Sequence, residues 1–182
     1  RMEMMGGEFC GNATRAFGLL TAKKLGAPAQ VRIETSGCDH IATVDTDLTA
    51  GTSRAEMPLP VSVTRETVAG HTGTLVNLGG IAHFVVEGVT PDQAFFDQAE
   101  PMLAALPGLD AYGVIFLEPA KGTMTPLVKV PATNTLVWEG SCGSGSLASA
   151  LALRGEETGG FTTVDLLQLD LFDGSCCLFK LG

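Results

Sequence analysis

The sequence predicts an α+β fold of two similar halves, and three observations lead there. Short strand-like runs cluster around single helical stretches instead of alternating with them one for one. The 23 Gly and 9 Pro among 182 residues supply the turns that many short strands need. One segment also recurs: Glu8-Phe9-Cys10-Gly11-Asn12-Ala13 returns in altered form as Glu139-Gly140-Ser141-Cys142-Gly143-Ser144-Gly145. Each copy brings the chain to a Cys-Gly pair and then into an Ala/Leu-rich helix. The expected halves are residues 1–88, carrying Cys10, and residues 89–182, carrying Cys142, with both thiols facing one cleft.

The elements follow in chain order. Residues 11–25 read as a helix, with Ala13, Ala16, Phe17, Leu20 and Leu25 on one stripe. Lys23 and Lys24 suit the negative end of its dipole, and Gly26 and Pro28 stop it. The runs VRIET, HIATV, SRAEM, VSVTRETV, TLVNL and HFVVEG alternate as strands do and are parted by Gly, Asp and Pro. Thr90 to Leu106 reads as a second helix, with Thr90 as its cap, Pro91 at its first position and Pro101 as a break or kink. YGVIFLE, PLVKV and TLVWE are strands, residues 143–153 a third helix, and residues 161–181 a closing strand pair.

Composition narrows the function classes. A net charge of −9 argues against nucleic acid or an anionic membrane as the partner and leaves a small molecule. No apolar run is long enough for a membrane-spanning helix, and no secretory signal is visible. The chain opens on Arg1, so residues preceding it are expected. Five cysteines without disulfide-like spacing point to free thiols in a reducing, cytoplasmic setting. A homodimer is left open.

Two of those cysteines carry chemistry. A thiol at a helix start sits beside N–H groups without helical partners and at the positive end of the dipole, which favours thiolate. The same N–H groups suit a carboxylate, and Gly11, Gly143 and Gly145 let a ligand approach the backbone closely. Two such thiols on opposite sides of one carbon can invert it: one, as thiolate, removes a proton, and the other, as thiol, returns one. Cys38, Cys176 and Cys177 read as packing residues. Cys38-Asp39-His40 is set aside as a metal site, because neighbours on a strand point to opposite faces. The Gly-Ser-Gly-Ser run at 143–146 lacks the Lys of a phosphate loop. His83, entering a strand, and Glu139, at a strand end, have plain structural readings beside the functional one.

Met5-Gly6-Gly7-Glu8-Phe9-Cys10-Gly11-Asn12-Ala13-Thr14-Arg15 resembles the first cysteine motif of the diaminopimelate-epimerase-like superfamily, and Glu139 to Gly145 resembles its second. Gly79-Gly80-Ile81-Ala82-His83 looks like a diverged form of that family's histidine segment. The resemblance implies two halves, each a curved mixed sheet wrapped around a central helix, and 1,1-proton transfer at the α-carbon of an amino acid with no cofactor and no metal. Cys10 and Cys142 are the implied acid–base pair. His83 and Glu139 would tune them or bind the α-ammonium, while Gly11, Asn12, Gly143 and Ser144 would hold the substrate.

Three departures bear on specificity. The epimerases carry a Glu-Arg pair nine residues before the second cysteine, where this chain has Thr133-Asn134. The histidine segment holds Ile81-Ala82, and the first motif holds Ala13 in place of a glycine. Without the Arg, a far carboxylate lacks its cation. Asn134 could bond a neutral ring instead, and the motifs look closest to the histidine racemases of staphylopine-type metallophore pathways. The family has a further strand–helix segment before its first cysteine, so a fragment is expected. Diaminopimelate epimerase and the phenazine-biosynthesis or proline-racemase type of isomerase or dehydratase remain alternatives within the fold. Outside enzymes, an amino-acid-binding protein or a thiol redox sensor remains, and a reversible Cys10–Cys142 disulfide would mark the sensor.

Overall fold

The computed structural model describes residues 1–26 and 28–154. It is α+β, with three helices and two sheets among the described residues. Helix α1 (Gly11–Lys24) leads into the antiparallel strands β1 (Gln30–Ile33), β2 (Ala42–Asp47) and β3 (Thr52–Ala55). Six further strands form the larger sheet in chain order: β4 (Ser62–Val68), β5 (His71–Asn77), β6 (Ile81–Glu87), β7 (Ala111–Glu118), β8 (Thr123–Val130) and β9 (Thr135–Trp138). All its pairings are antiparallel except β6 with β7, which the crossover helix α2 (Gln93–Ala104) makes parallel. Helix α3 (Gly143–Arg154) closes the described chain.

The larger sheet is covered on both faces, and strand alternation sorts its side chains between them. Phe84 and Val86 of β6 and Tyr112, Val114 and Phe116 of β7 pack with Phe95, Phe96 and Leu103 of α2. Ile81, Val85, Ala111, Ile115 and Leu117 turn the other way and meet Leu147, Ala148 and Leu151 of α3. His83 shares the parity of Ile81 and Val85, so its ring is directed at α3 by the strand's own period.

The two sheets part in residues 56–61, and β6 and β7 pair across residues 88–110. Several expectations change. Helix α1 does not bury the expected apolar stripe. Its buried face is Gly11, Thr14, Arg15, Gly18 and Ala22, while Leu20 and Leu25 are exposed. Small residues win because the helix lies close on β2: a methyl group at Gly18 would come within 2.5 Å of Val44. The cap of α2 is Asp92, whose carboxylate accepts from the Ala94 N–H at 3.1 Å; Thr90 and Pro91 lie before it. Pro101 faces solvent and does not end the helix, which runs on to Ala104. The expected strand pair at 161–181, with Cys176 and Cys177, lies outside the described residues.

Candidate active site

The two Cys-Gly segments build the same local structure twice. Cys10 caps α1: its carbonyl accepts from the Thr14 N–H and hydroxyl, both at 2.9 Å, and its sulfur lies 3.5 Å from the Ala13 N–H. Cys142 stands before α3 in the same way. Its carbonyl accepts from the Ser146 N–H and hydroxyl, both at 2.9 Å, and its sulfur from the Gly145 N–H at 3.3 Å. Cys-Gly-x-x-(Thr/Ser) is therefore a capping motif in which thiol and hydroxyl satisfy the first-turn groups that the helix cannot.

The two helix starts face each other. A methyl group on Gly143 would sit 3.6 Å from Gly11 Cα and 3.7 Å from the Asn12 nitrogen. The Asn12 amide ties the starts together, donating to the Ser141 carbonyl at 3.2 Å and to its hydroxyl at 3.1 Å. Between them opens a cleft of about 490 Å³, counting its mouth, that both Cys10 and Cys142 line. Gly11, Asn12, Gly143, Ser144 and Glu139 share that lining, as expected of them. Glu8 shares it too.

His83 lies one layer behind. Fully buried on β6, it reaches the Ser144 hydroxyl with Nε2 at 2.8 Å, and that hydroxyl lies 3.4 Å from the Cys142 sulfur. Burial pushes the imidazole down to about 4, so the ring is neutral. Its Nδ1 is buried with no hydrogen-bond partner. A proton on Nε2 puts the donor toward Ser144 and leaves Nδ1 as the bare acceptor, the less costly group to bury unpaired. Ser144 can then accept from His83 and donate to Cys142.

Asn134 is elsewhere. It is exposed, takes a left-handed conformation at φ 51° to close the short 3-10 turn Pro131–Thr133, and does not line the cleft.

Both thiols are raised, against the expectation from the helix dipole. For Cys10 burial dominates; the charges of Glu139 and Glu8 add to it, and the N–H groups of Ala13 and Asn12 oppose it. Cys142 is raised well above its ordinary value by deeper burial and by Glu139, with Ser144 and the Gly145 N–H offsetting only part. Glu139 is itself raised by burial, although a hydrogen bond from Cys142 lowers it. The thiol proton thus stays on Cys142 and points at a carboxylate. First-turn N–H groups are present at both helix starts, but desolvation outweighs them.

Glu8 escaped the sequence reading. One of its carboxylate oxygens is buried without a hydrogen-bond partner, and a methyl group on Gly6 would come within 2.7 Å of that oxygen. The available signal was its place two residues before Cys10, mirrored loosely by Glu139 three residues before Cys142.

The family described as "Histidine racemase CntK N-terminal domain" matches residues 1–163. The chain belongs to that family. Two curated relatives, each described as "Histidine racemase" and from two strains of Fusobacterium nucleatum subsp. nucleatum, are 28% and 29% identical to this family member over 163 residues. Each alignment covers 84% of this chain and 62% of the relative, so the chain spans somewhat less than two thirds of the relatives' length. Among the family member's described residues no helix is long and apolar enough to cross a membrane.

Proposed function

We propose that this chain carries the two-thiol site of a cofactor-independent amino-acid racemase, with histidine as its substrate. The observation that carries the reading is the cleft in which two Cys-capped helix starts face each other, in a chain whose curated relatives are described as histidine racemases. The substrate α-carboxylate lies against the first-turn N–H groups at Gly11–Asn12 and Gly143–Ser144, where partial positive charge from both helices converges. Those groups also stabilise charge that spreads into the carboxylate as the α-proton leaves. Glu8 and Glu139 receive the α-ammonium or the imidazole ring. The substrate's ammonium offsets the carboxylate charges that add to burial in keeping the thiols protonated. Cys10, less buried than Cys142, is then the first to ionise and act as base. Cys142 delivers its proton to the opposite face, and Ser144, steadied by His83, holds that thiol in line. The reverse direction exchanges the two roles.

The repeated capping geometry also supports two related halves, one built on α1 with β1–β3 and one on α3 with β4–β9.

The test is deuterium incorporation at Cα from heavy water, over a panel of L- and D-amino acids that includes histidine and diaminopimelate. Exchange and racemisation of histidine are expected, with kcat/KM for diaminopimelate at least tenfold lower, a difference of about 1.4 kcal/mol in transition-state binding. Absence of exchange with every member of the panel, using the full-length protein, rejects the reading. A preference for diaminopimelate rejects the substrate alone.

A further inference from the structure

Cys38, Asp39 and His40 lie outside the cleft, on a bend between β1 and β2 and not on a strand. The alternation that would turn neighbouring side chains apart therefore does not operate. The Cys38 sulfur, an Asp39 carboxylate oxygen and a His40 ring nitrogen all lie within 4.8 Å of one another. His40 Nδ1 is 3.3 Å from Cys38 Sγ and 3.3 Å from Asp39 Oδ1. For a tetrahedral ion with bonds of about 2.3 Å to sulfur and about 2.0–2.1 Å to nitrogen and oxygen, the ligand edges are about 3.5 Å for S···N and about 3.3 Å for N···O. The two separations from Nδ1 are close to those edges; the sulfur also lies 3.8 Å from Nε2, over the ring, so a turn of the imidazole brings the Nδ1 lone pair onto an ion shared with Sγ and Oδ1.

The surroundings support the same placement. Glu56 brings a carboxylate oxygen to 4.0 Å from Nε2, the nitrogen on the other side of the ring. Its second oxygen accepts from the Thr43 N–H at 3.0 Å, which fixes its position. At that distance Glu56 is a neighbour and not a hydrogen-bond partner, and a small approach on metal binding would let it accept the Nε2 proton of a ring that ligates through Nδ1. The bend itself is anchored. Ser36 accepts from the Met4 N–H at 2.9 Å and donates to the Glu8 carbonyl at 3.0 Å. Gly37, at φ 65°, lies so close to the Phe9 backbone that a methyl group would reach its nitrogen at 2.2 Å.

We propose that Cys38 Sγ, Asp39 Oδ1 and His40 Nδ1 bind one divalent cation of borderline softness, Zn²⁺ foremost, with water as the fourth ligand. A thiolate, an imidazole and a carboxylate suit zinc better than magnesium or calcium, which take oxygen ligands. On binding, the Cys38 S–H bond breaks, a sulfur–metal bond forms and the proton goes to solvent, so apparent affinity rises with pH.

The test uses the full-length, tag-free protein with Co²⁺ and then Zn²⁺. One equivalent of Co²⁺ is expected to give a sulfur-to-cobalt charge-transfer band and the intense visible bands of a four-coordinate ion, and Zn²⁺ to bleach them. Cys38→Ser should lose the charge-transfer band. Asp39→Asn and His40→Gln should weaken binding at least tenfold, and Glu56→Gln about tenfold. A variant with Ser at positions 10, 142, 176 and 177 retains Cys38 as the sole thiol of the five and should keep the band. Zn²⁺ should also raise the Tm of the unaltered protein but not that of His40→Gln. A band that survives Cys38→Ser, or no uptake of Co²⁺ by the unaltered protein, overturns the proposal. Should the four-serine variant fail to fold, the paired Tm measurement still decides: an equal rise in both proteins overturns it.

Discussion

The helix starts at Cys10 and Cys142 share a backbone but not an environment. At each, a thiol accepts from the N–H three residues on, and the Cys carbonyl is held by the N–H and hydroxyl of the residue after that. Local capping would therefore give both sulfurs the same character. Around Cys10 the sheet has three short strands, and the cysteine stays half-buried. Around Cys142 the larger sheet closes over the sulfur, and Ser144, His83 and Glu139 hold it on several sides. One cap can thus produce two thiols of different acidity, because desolvation depends on what long-range packing lays over them. For an inversion reaction that difference assigns a starting base and a starting acid.

Replacing either thiol should have the largest effect. Cys10→Ser and Cys142→Ser are each expected to lower histidine racemisation by about 10²–10⁴-fold, the usual range for a positioned acid or base. The comparison predicts more: each variant should still exchange the α-proton of one enantiomer, and the two variants should retain opposite enantiomers. Chiral chromatography after incubation in heavy water reads this, and retention of the same enantiomer by both would place the sulfurs on one side of the carbon.

The buried imidazole distinguishes the second start from the first. His83 is held near 4 in the folded protein and returns to about 6.5 when unfolded, so the unfolded chain binds the extra proton between those values. Stability is then fully present above pH 6.5 and falls as pH drops toward 4, by about 3 kcal/mol for this residue. Urea unfolding at a series of pH values should show that slope, and His83→Gln should flatten it. The same variant should slow turnover through Cys142 while leaving the reactivity of Cys10 toward a thiol reagent unchanged. An equal change in both thiols would mean that His83 acts through general packing.

A glycine pair sharpens the contrast in packing. A methyl group on Gly145 would meet Ile115 Cδ1 at 2.8 Å and the Cys142 sulfur at 3.1 Å, inside a closed core. Gly145→Ala should cost about 1–3 kcal/mol and disturb the thiol. At Gly11 the nearest atom is the Met57 sulfur at 2.8 Å, on a flexible side chain that can swing away. Gly11→Ala should cost less, and thermal melts of the two variants should rank them in that order.

The mildest change removes a charge. Glu139 raises both thiols, ranking directly after burial at Cys142 and lower among the causes at Cys10. Glu139→Gln should lower both, Cys142 more, and so shift the ascending limb of the rate profile to lower pH. Titration of thiolate absorbance in the Cys10→Ser and Cys142→Ser backgrounds separates the two, and a larger shift at Cys10 would reverse the assignment of Glu139.

Sequence alone carried whatever short-range rules govern. Cys-Gly followed by Thr or Ser at the fourth place wrote both caps, and the two-residue period of β6 aimed His83 at α3. Glycine and proline spacing marked most strands, and the paired motifs carried the family resemblance. What remained depended on contacts between distant residues. Glu8 enters the cleft and Asn134 stays out because of where the helix starts meet, not because of their neighbours in the chain. Cys38, Asp39 and His40 converge because Ser36 and Gly37 anchor their bend against residues 4–9. The thiols are raised where the helix dipole alone would lower them. A dipole is a property of the local backbone and can be read from a cap, whereas the cost of charging a buried sulfur is set by the layers of protein that exclude water from it.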